Sequence, residues 1–135
     1  MRSLIELSNL ESDVSAKLFE PNDSGRNELI PFFKKVLQDG GELIKEAHFK
    51  GCGGLELSRI RADFIDTVLR SVWSFGCSSL NQKDSEIRCS LLAIGGFGRG
   101  ELSPNSDIDL LFVSPNVDPK VHEFTQKVLY ILWDL

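Results

Sequence analysis

At 135 residues the chain has room for one modest domain, and its 41% hydrophobic content suffices for a core, which excludes wholesale disorder. Fifteen basic against 20 acidic side chains leave a formal net charge of −5, which argues against a nonspecific nucleic-acid binder but not against binding one nucleotide whose charge a metal offsets. Cys52, Cys77 and Cys89 are odd in number with no CxxC pair, pointing to reduced thiols and a cytoplasmic protein, and no apolar run approaches the about 20 residues that span a bilayer.

The opening MRSLIELSNLESD is too acidic for a signal peptide. Leu4, Leu7 and Leu10 have near-helical spacing, but Pro21-Asn22-Asp23-Ser24-Gly25 breaks the pattern, and residues 1 to 27 are otherwise hard to read. From Asn27, apolar positions Leu29, Ile30, Phe33, Val36 and Leu37 predict a short amphipathic helix stopped by Gly40-Gly41. A second helical piece, Glu42 to Phe49, ends at Gly51-Cys52-Gly53-Gly54. Residues 1–54 thus read as a helical N-terminal extension. His48 and Cys52 could share a helix face, but two ligands do not make a zinc site.

The strongest periodic signal is a helix from about Glu56 to Phe75. Leu57, Ile60, Phe64, Val68 and Val72 form its stripe, widened by Ile65 and Leu69. Arg59, Arg61, Asp63, Asp66 and Arg70 fall off that stripe. Asp66 and Arg70 make a supporting acid-before-base pair. Arg59 and Arg61 could contact phosphate; a solvated face is the simpler reading. Gly76 ends the helix, and Asn81-Gln82-Lys83-Asp84-Ser85-Glu86 is a polar loop.

The stretch LLAIGGFGRGELSPNSDIDLLFV, Leu91 to Val113, carries the chemistry. It reads as a strand, a glycine-rich turn, a polar loop and a second strand that begins Asp107-Ile108-Asp109. Side chains alternate along a strand, so Asp107 and Asp109 face one way and Ile108 and Leu110 the other. Two like-facing carboxylates repel, and a divalent cation removes that penalty; Mg²⁺ favours carboxylate, phosphate and water oxygens. Gly95 and Gly96 lack a Cβ, so their amides can approach an anion closely. Gly98, Arg99 and Gly100 extend the turn, and Arg99 can hold phosphate oxygens. Ser106 could bond a phosphate or cap the loop, Glu101 could orient Arg99 rather than bind metal, and Pro104-Asn105 fits a turn. The glycine spacing is wrong for GxGxxG, and no Gly-Lys-Ser/Thr follows.

After the second strand, Asp118 is a candidate N-cap with Pro119 at the first helical position. Val121, Phe124, Val128, Ile131 and Leu132 then define a fourth amphipathic helix. His122 is a surface position. Trp73 and Trp133 stand among apolar residues and read as core.

Ile94-Gly95-Gly96, ten residues and then Asp107-Ile108-Asp109-Leu110 resembles the signature of the DNA polymerase β-like nucleotidyltransferase superfamily. The longer run GGFGRGELSPNSDIDLL is closer still to the bacterial protein-PII uridylyltransferase family. GLELSRIRADFIDTVLRSVW and VLYILWDL look like the helices that flank the site there, so the resemblance covers about the last 80 residues. It implies an α/β (α+β) fold: a polymerase β-like nucleotidyltransferase core, a small mixed sheet flanked by helices, with 55–135 as a partial nucleotidyltransferase domain. It implies Asp107 and Asp109 as catalytic ligands of the metals, two Mg²⁺ ions, and Gly95 and Gly96 at the triphosphate, where the residue chemistry adds Gly98, Arg99 and Ser106 to the nucleotide site. It further implies UTP as donor and a tyrosine of the PII signal protein as acceptor, with no nucleic acid or membrane partner. In that family a third carboxylate, a phosphohydrolase domain and sensing domains come later, so the expectation is an N-terminal fragment incomplete at its C-terminus, with an uncovered sheet edge. The CBS-linked signal-transduction type of nucleotidyltransferase, with a similar run, and a non-catalytic nucleotide-binding or docking remnant are the alternatives.

Overall fold

The structure is a computed structural model that describes residues 2–83 and 86–135. Asp84 and Ser85, part of the expected polar loop, lie outside the described residues. The elements in order are α1 (Arg2–Ala16), α2 (Asp23–Phe49), α3 (Gly54–Ser79), β1 (Ser90–Ala93), the single turn α4 (Gly95–Gly98), β2 (Leu110–Val113) and α5 (Pro119–Asp134).

α1 forms over the stretch that sequence left hard to read, burying Leu7 and Val14. α2 starts where the Asn22 side chain accepts the Gly25 amide at 3.0 Å, so Pro21 to Gly25 holds a cap as well as a break. The expected stop at Gly40-Gly41 is overturned: α2 runs through both glycines to Phe49. Gly40 is buried, and a Cβ there would clash with the Phe64 ring of α3, 2.2 Å from its Cζ. The missing side chain lets two long helices approach, which outweighs the weak helix propensity of glycine.

α3 buries Leu57, Phe64, Ile65, Val68 and Val72 of the expected stripe, with Ile60 and Leu69 half-buried. It likewise continues past Gly76, where a Cβ would come within 2.8 Å of Val128 on α5. α5 begins as expected, with the Asp118 carboxylate accepting the Val121 amide at 2.9 Å and Pro119 next. Its stripe of Val121, Phe124, Val128 and Ile131 is buried against α3. The Trp73 and Phe124 rings meet edge to face at 4.6 Å. Trp133 is not core: it is 69% exposed, because it stands two residues, about 200° of helix, beyond Ile131.

α1, α2 and α3 pack on one another, and α5 packs on α3. Among the described residues the sheet has two antiparallel strands, with Ser90 opposite Val113 and Ala93 opposite Leu110. Leu110 and Phe112 face the core, while Leu92, Leu111 and Val113 stay exposed. This is the α+β arrangement, a small sheet flanked by helices, that the resemblance implied. Among the described residues, no helix is long and apolar enough to cross a membrane. The three cysteines are unbridged.

Candidate functional site

β1 carries the chain to Ile94, whose amide donates to the Asp109 carbonyl at 3.0 Å. That bond adds one pair beyond Ala93–Leu110, so the glycine turn and the acidic segment are tied together at the end of the ladder. The second strand proper starts at Leu110, not at Asp107. Asp109 therefore takes its place from the ladder's last bond, and Asp107 lies two residues outside it. By the register, Asp109 stands on the solvent face with Ile94, Leu92 and Leu111. Asp107, Ile108 and Asp109 are all exposed.

Gly95 has φ +62, and a Cβ on it would sit 2.8 Å from Asp109 Oδ2. One carboxylate thus lies directly over the bare backbone of the turn. The turn then closes on itself. Gly98 donates to the Ile94 carbonyl at 2.9 Å, Arg99 to Gly96 at 3.1 Å and Glu101 to Gly96 at 2.9 Å. The Gly95 and Gly96 amides take no acceptor among the described residues. Of the three glycines expected to offer amides to phosphate, Gly98 is the one whose amide is engaged within the turn, and a Cβ on it would come 2.6 Å from the Ala93 carbonyl. Arg99 is exposed and forms no ion pair among the described residues, with Nη2 on the Gly96 side of the turn. Phe97 points inward and is buried.

Two expectations fail nearby. Glu101 does not orient Arg99: it pairs with Arg59 of α3 at 3.3 Å. Arg61 is not a solvated residue either. Its Nη1 donates to the Ser103 carbonyl at 2.6 Å and lies 3.5 Å from both the Leu102 carbonyl and Ser106 Oγ. Burial pushes its guanidinium pKa down from the ordinary arginine value. Leu102 is anchored too, with its side chain buried and its amide donating to the Ser58 carbonyl at 3.0 Å. Pro104-Asn105 makes the expected turn. Asn105 has φ +62, and the Ser106 amide and hydroxyl both donate to the Ser103 carbonyl, at 3.1 and 2.6 Å. Of the two readings left open for Ser106, this geometry is that of a loop cap.

The helical pattern alone could not reveal the Arg61 contact. An off-stripe arginine looks solvated until the loop some forty residues later folds onto it.

No group of three or more His, Cys, Asp or Glu side chains that could hold a metal occurs among the described residues. The donors present are two exposed carboxylates without side-chain partners, Asp107 and Asp109. They fit a hard cation that takes one or two protein carboxylates and completes its shell with water and phosphate oxygens. A cavity of about 960 Å³ between α3 and β1, lined by Trp73, Cys77, Cys89, Leu91 and Phe97 among others, includes neither aspartate. Burial raises the Cys89 thiol pKa, which keeps it protonated at neutral pH.

Comparison with known proteins adds a second line of observation. Residues 78–135 match the nucleotidyltransferase domain family. A bifunctional uridylyltransferase/uridylyl-removing enzyme of Caulobacter vibrioides is 37% identical over 115 residues, covering 82% of this chain and 12% of that protein. The enzyme of the same name from Hydrogenovibrio crunogenus is 38% identical over 113 residues, 82% of this chain and 12% of its own length. That from Novosphingobium aromaticivorans is 28% identical over 140 residues, 99% of this chain and 15% of its own. The chain thus spans a small part of the length of these relatives. No solved structure matches it.

Proposed function

We propose that the chain is a nucleotidyltransferase, akin to the bifunctional uridylyltransferase/uridylyl-removing enzymes it resembles, and that it serves UMP transfer from UTP to a tyrosine of the PII signal protein. In this reaction the acceptor hydroxyl oxygen bonds to the α-phosphorus. The bond from that phosphorus to the β-phosphate bridging oxygen breaks, pyrophosphate leaves, and the hydroxyl proton passes to solvent. The UTP donor and the PII acceptor rest on kinship alone; the nucleotidyl chemistry is supported by the residues as well.

Asp107 and Asp109 would hold Mg²⁺. When bound, that ion offsets triphosphate charge and makes the attacking hydroxyl easier to deprotonate. The observation that carries the reading is the Asp109 carboxylate lying over Gly95, beside two amides with no acceptor of their own. Those Gly95 and Gly96 amides would take triphosphate oxygens, and Arg99, uncommitted and exposed, would neutralise charge there. Gly98 holds the turn tight by its bond to Ile94. Residues 1–54 would act as a helical extension that braces α3, and 55–135 as the nucleotidyltransferase portion.

The test is titration of the chain with UTP in the presence of Mg²⁺, followed by incubation with PII protein and labelled UTP. The expected outcome is Mg²⁺-dependent binding, lost by at least about tenfold in D107N/D109N. The melting temperature of that variant should stay within a few degrees of wild type, because both side chains are exposed. Unchanged binding in the double variant would remove the site. Binding without label transfer would favour a non-catalytic nucleotide-binding role.

A further inference from the structure

We infer that Arg61 is a positioning residue that sets Asp107 relative to Asp109. The inference rests on reading those two aspartates as a metal-binding pair. The two acids owe their places to different parts of the fold. Asp109 is fixed by the sheet, through the Ile94 amide on its carbonyl. Asp107 lies outside the ladder and follows directly on the 103–106 turn. Three donors converge on the Ser103 carbonyl of that turn: the Ser106 amide, the Ser106 hydroxyl and Arg61 Nη1. The first two are internal to the turn and fix only its shape. Arg61 is the donor that ties the turn to α3, and it reaches across 42 positions of sequence.

The guanidinium suits this task. One nitrogen stands within 3.5 Å of three acceptors, the carbonyls of Leu102 and Ser103 and the Ser106 hydroxyl. The neighbouring Arg59–Glu101 pair is more exposed, at 60% and 39%, and contributes little by comparison. Leu102 anchors the loop at its start, and Arg61 spans the turn from the Ser103 carbonyl at 2.6 Å to Ser106 Oγ at 3.5 Å, next to Asp107. If the turn loosens, the separation of the two carboxylates widens in distribution. Affinity for the cation then falls first, while the Gly95 and Gly96 amides stay where the ladder holds them.

The experiment compares Arg61→Met and Arg61→Lys with wild type and with D107N/D109N. UTP binding is measured across a Mg²⁺ titration, alongside hydrogen exchange at the Ser106 amide and the melting temperature. Arg61→Met should raise the Mg²⁺ concentration at half-maximal UTP binding by about tenfold, the scale of one lost charge-assisted hydrogen bond. Excess Mg²⁺ should restore its UTP binding, and Ser106 exchange should accelerate. Arg61→Lys, which keeps a donor in reach of Ser103, should recover most of the shift. An unmoved Mg²⁺ midpoint in Arg61→Met, with D107N/D109N still abolishing binding, would overturn the inference and leave the site reading intact. A UTP affinity lowered at every Mg²⁺ level together with a lower melting temperature would also overturn it, by showing general structural damage. Absence of Mg²⁺-dependent UTP binding in wild type would overturn both readings together.

Discussion

Asp109 and Gly95 constrain each other. The carboxylate occupies the space a Cβ would need, and the backbone at φ +62 is one that non-glycine residues adopt only with strain. Gly95→Ala should therefore act twice. It should lower stability by about 1–2 kcal/mol through the backbone, read as a shifted urea midpoint. It should also displace the Asp109 carboxylate and weaken Mg²⁺-dependent UTP binding by at least about tenfold, read by calorimetric titration. At this scale much of the site was legible beforehand. The glycine bend and the acids after it were legible as residue types at a spacing, whereas the approach of Asp109 to Gly95 came from the fold. The partners of Arg59, Arg61 and Glu101 were not legible, because each depends on which loop α3 meets in space.

At the scale of elements, the adjacent glycines of α2 behave in opposite ways. Gly40 faces the Phe64 ring, whereas a Cβ at Gly41 would meet nothing within 4 Å. Gly41→Ala should stabilise the protein by about 0.5–1 kcal/mol, since it reduces the freedom of the unfolded chain and favours helix. Gly40→Ala should destabilise it, by up to about 2 kcal/mol once an overpacking cost of about 1–3 kcal/mol is set against a helical gain of about 1 kcal/mol. Urea unfolding of both variants checks the difference in sign, and adding Phe64→Leu should relieve Gly40→Ala but not Gly41→Ala. A glycine pair reads as a helix stop when only its propensity is visible. Here the same residues are a contact surface. Gly76 gives the same lesson against Val128 and Phe124 of α5.

Across the whole molecule, α3 is the shared support: α1, α2 and α5 all pack on it, and its first turns hold the loop before the acids. Long-range ties reinforce the arrangement, such as Ser71 of α3 donating to the Val14 carbonyl of α1 and Arg26 of α2 paired with Asp134 of α5. One interhelical contact has a pH signature. Burial, then the nearby Asp63 charge on α3, raises the pKa of Glu11 on α1 above its ordinary value. The native state therefore holds this proton more tightly than the unfolded chain. Its contribution is most favourable below the usual carboxylate range and declines as pH rises through the raised value. Glu11→Gln should be more stable than wild type at pH 7, with the advantage gone near pH 3, in urea unfolding at the two pH values. On the far side, the solvent face of the sheet shows Leu92, Leu111 and Val113 beside Asp109, so the candidate chemistry stands on the exposed side and the helices on the other.

By itself, the sequence determined the local things: the cap at Asp118, the apolar stripes of α3 and α5, the glycine bend and the acids that follow it. These depend on helical and strand periods and on the φ each residue type tolerates, all of which act over a few neighbouring positions. Tertiary structure decided the rest: that α2 and α3 run through their glycines, and that Arg61 grips the loop before Asp107. Each of those outcomes turns on a group brought near by packing, and a side chain's surroundings at contact distance are not written in the residues beside it in the chain.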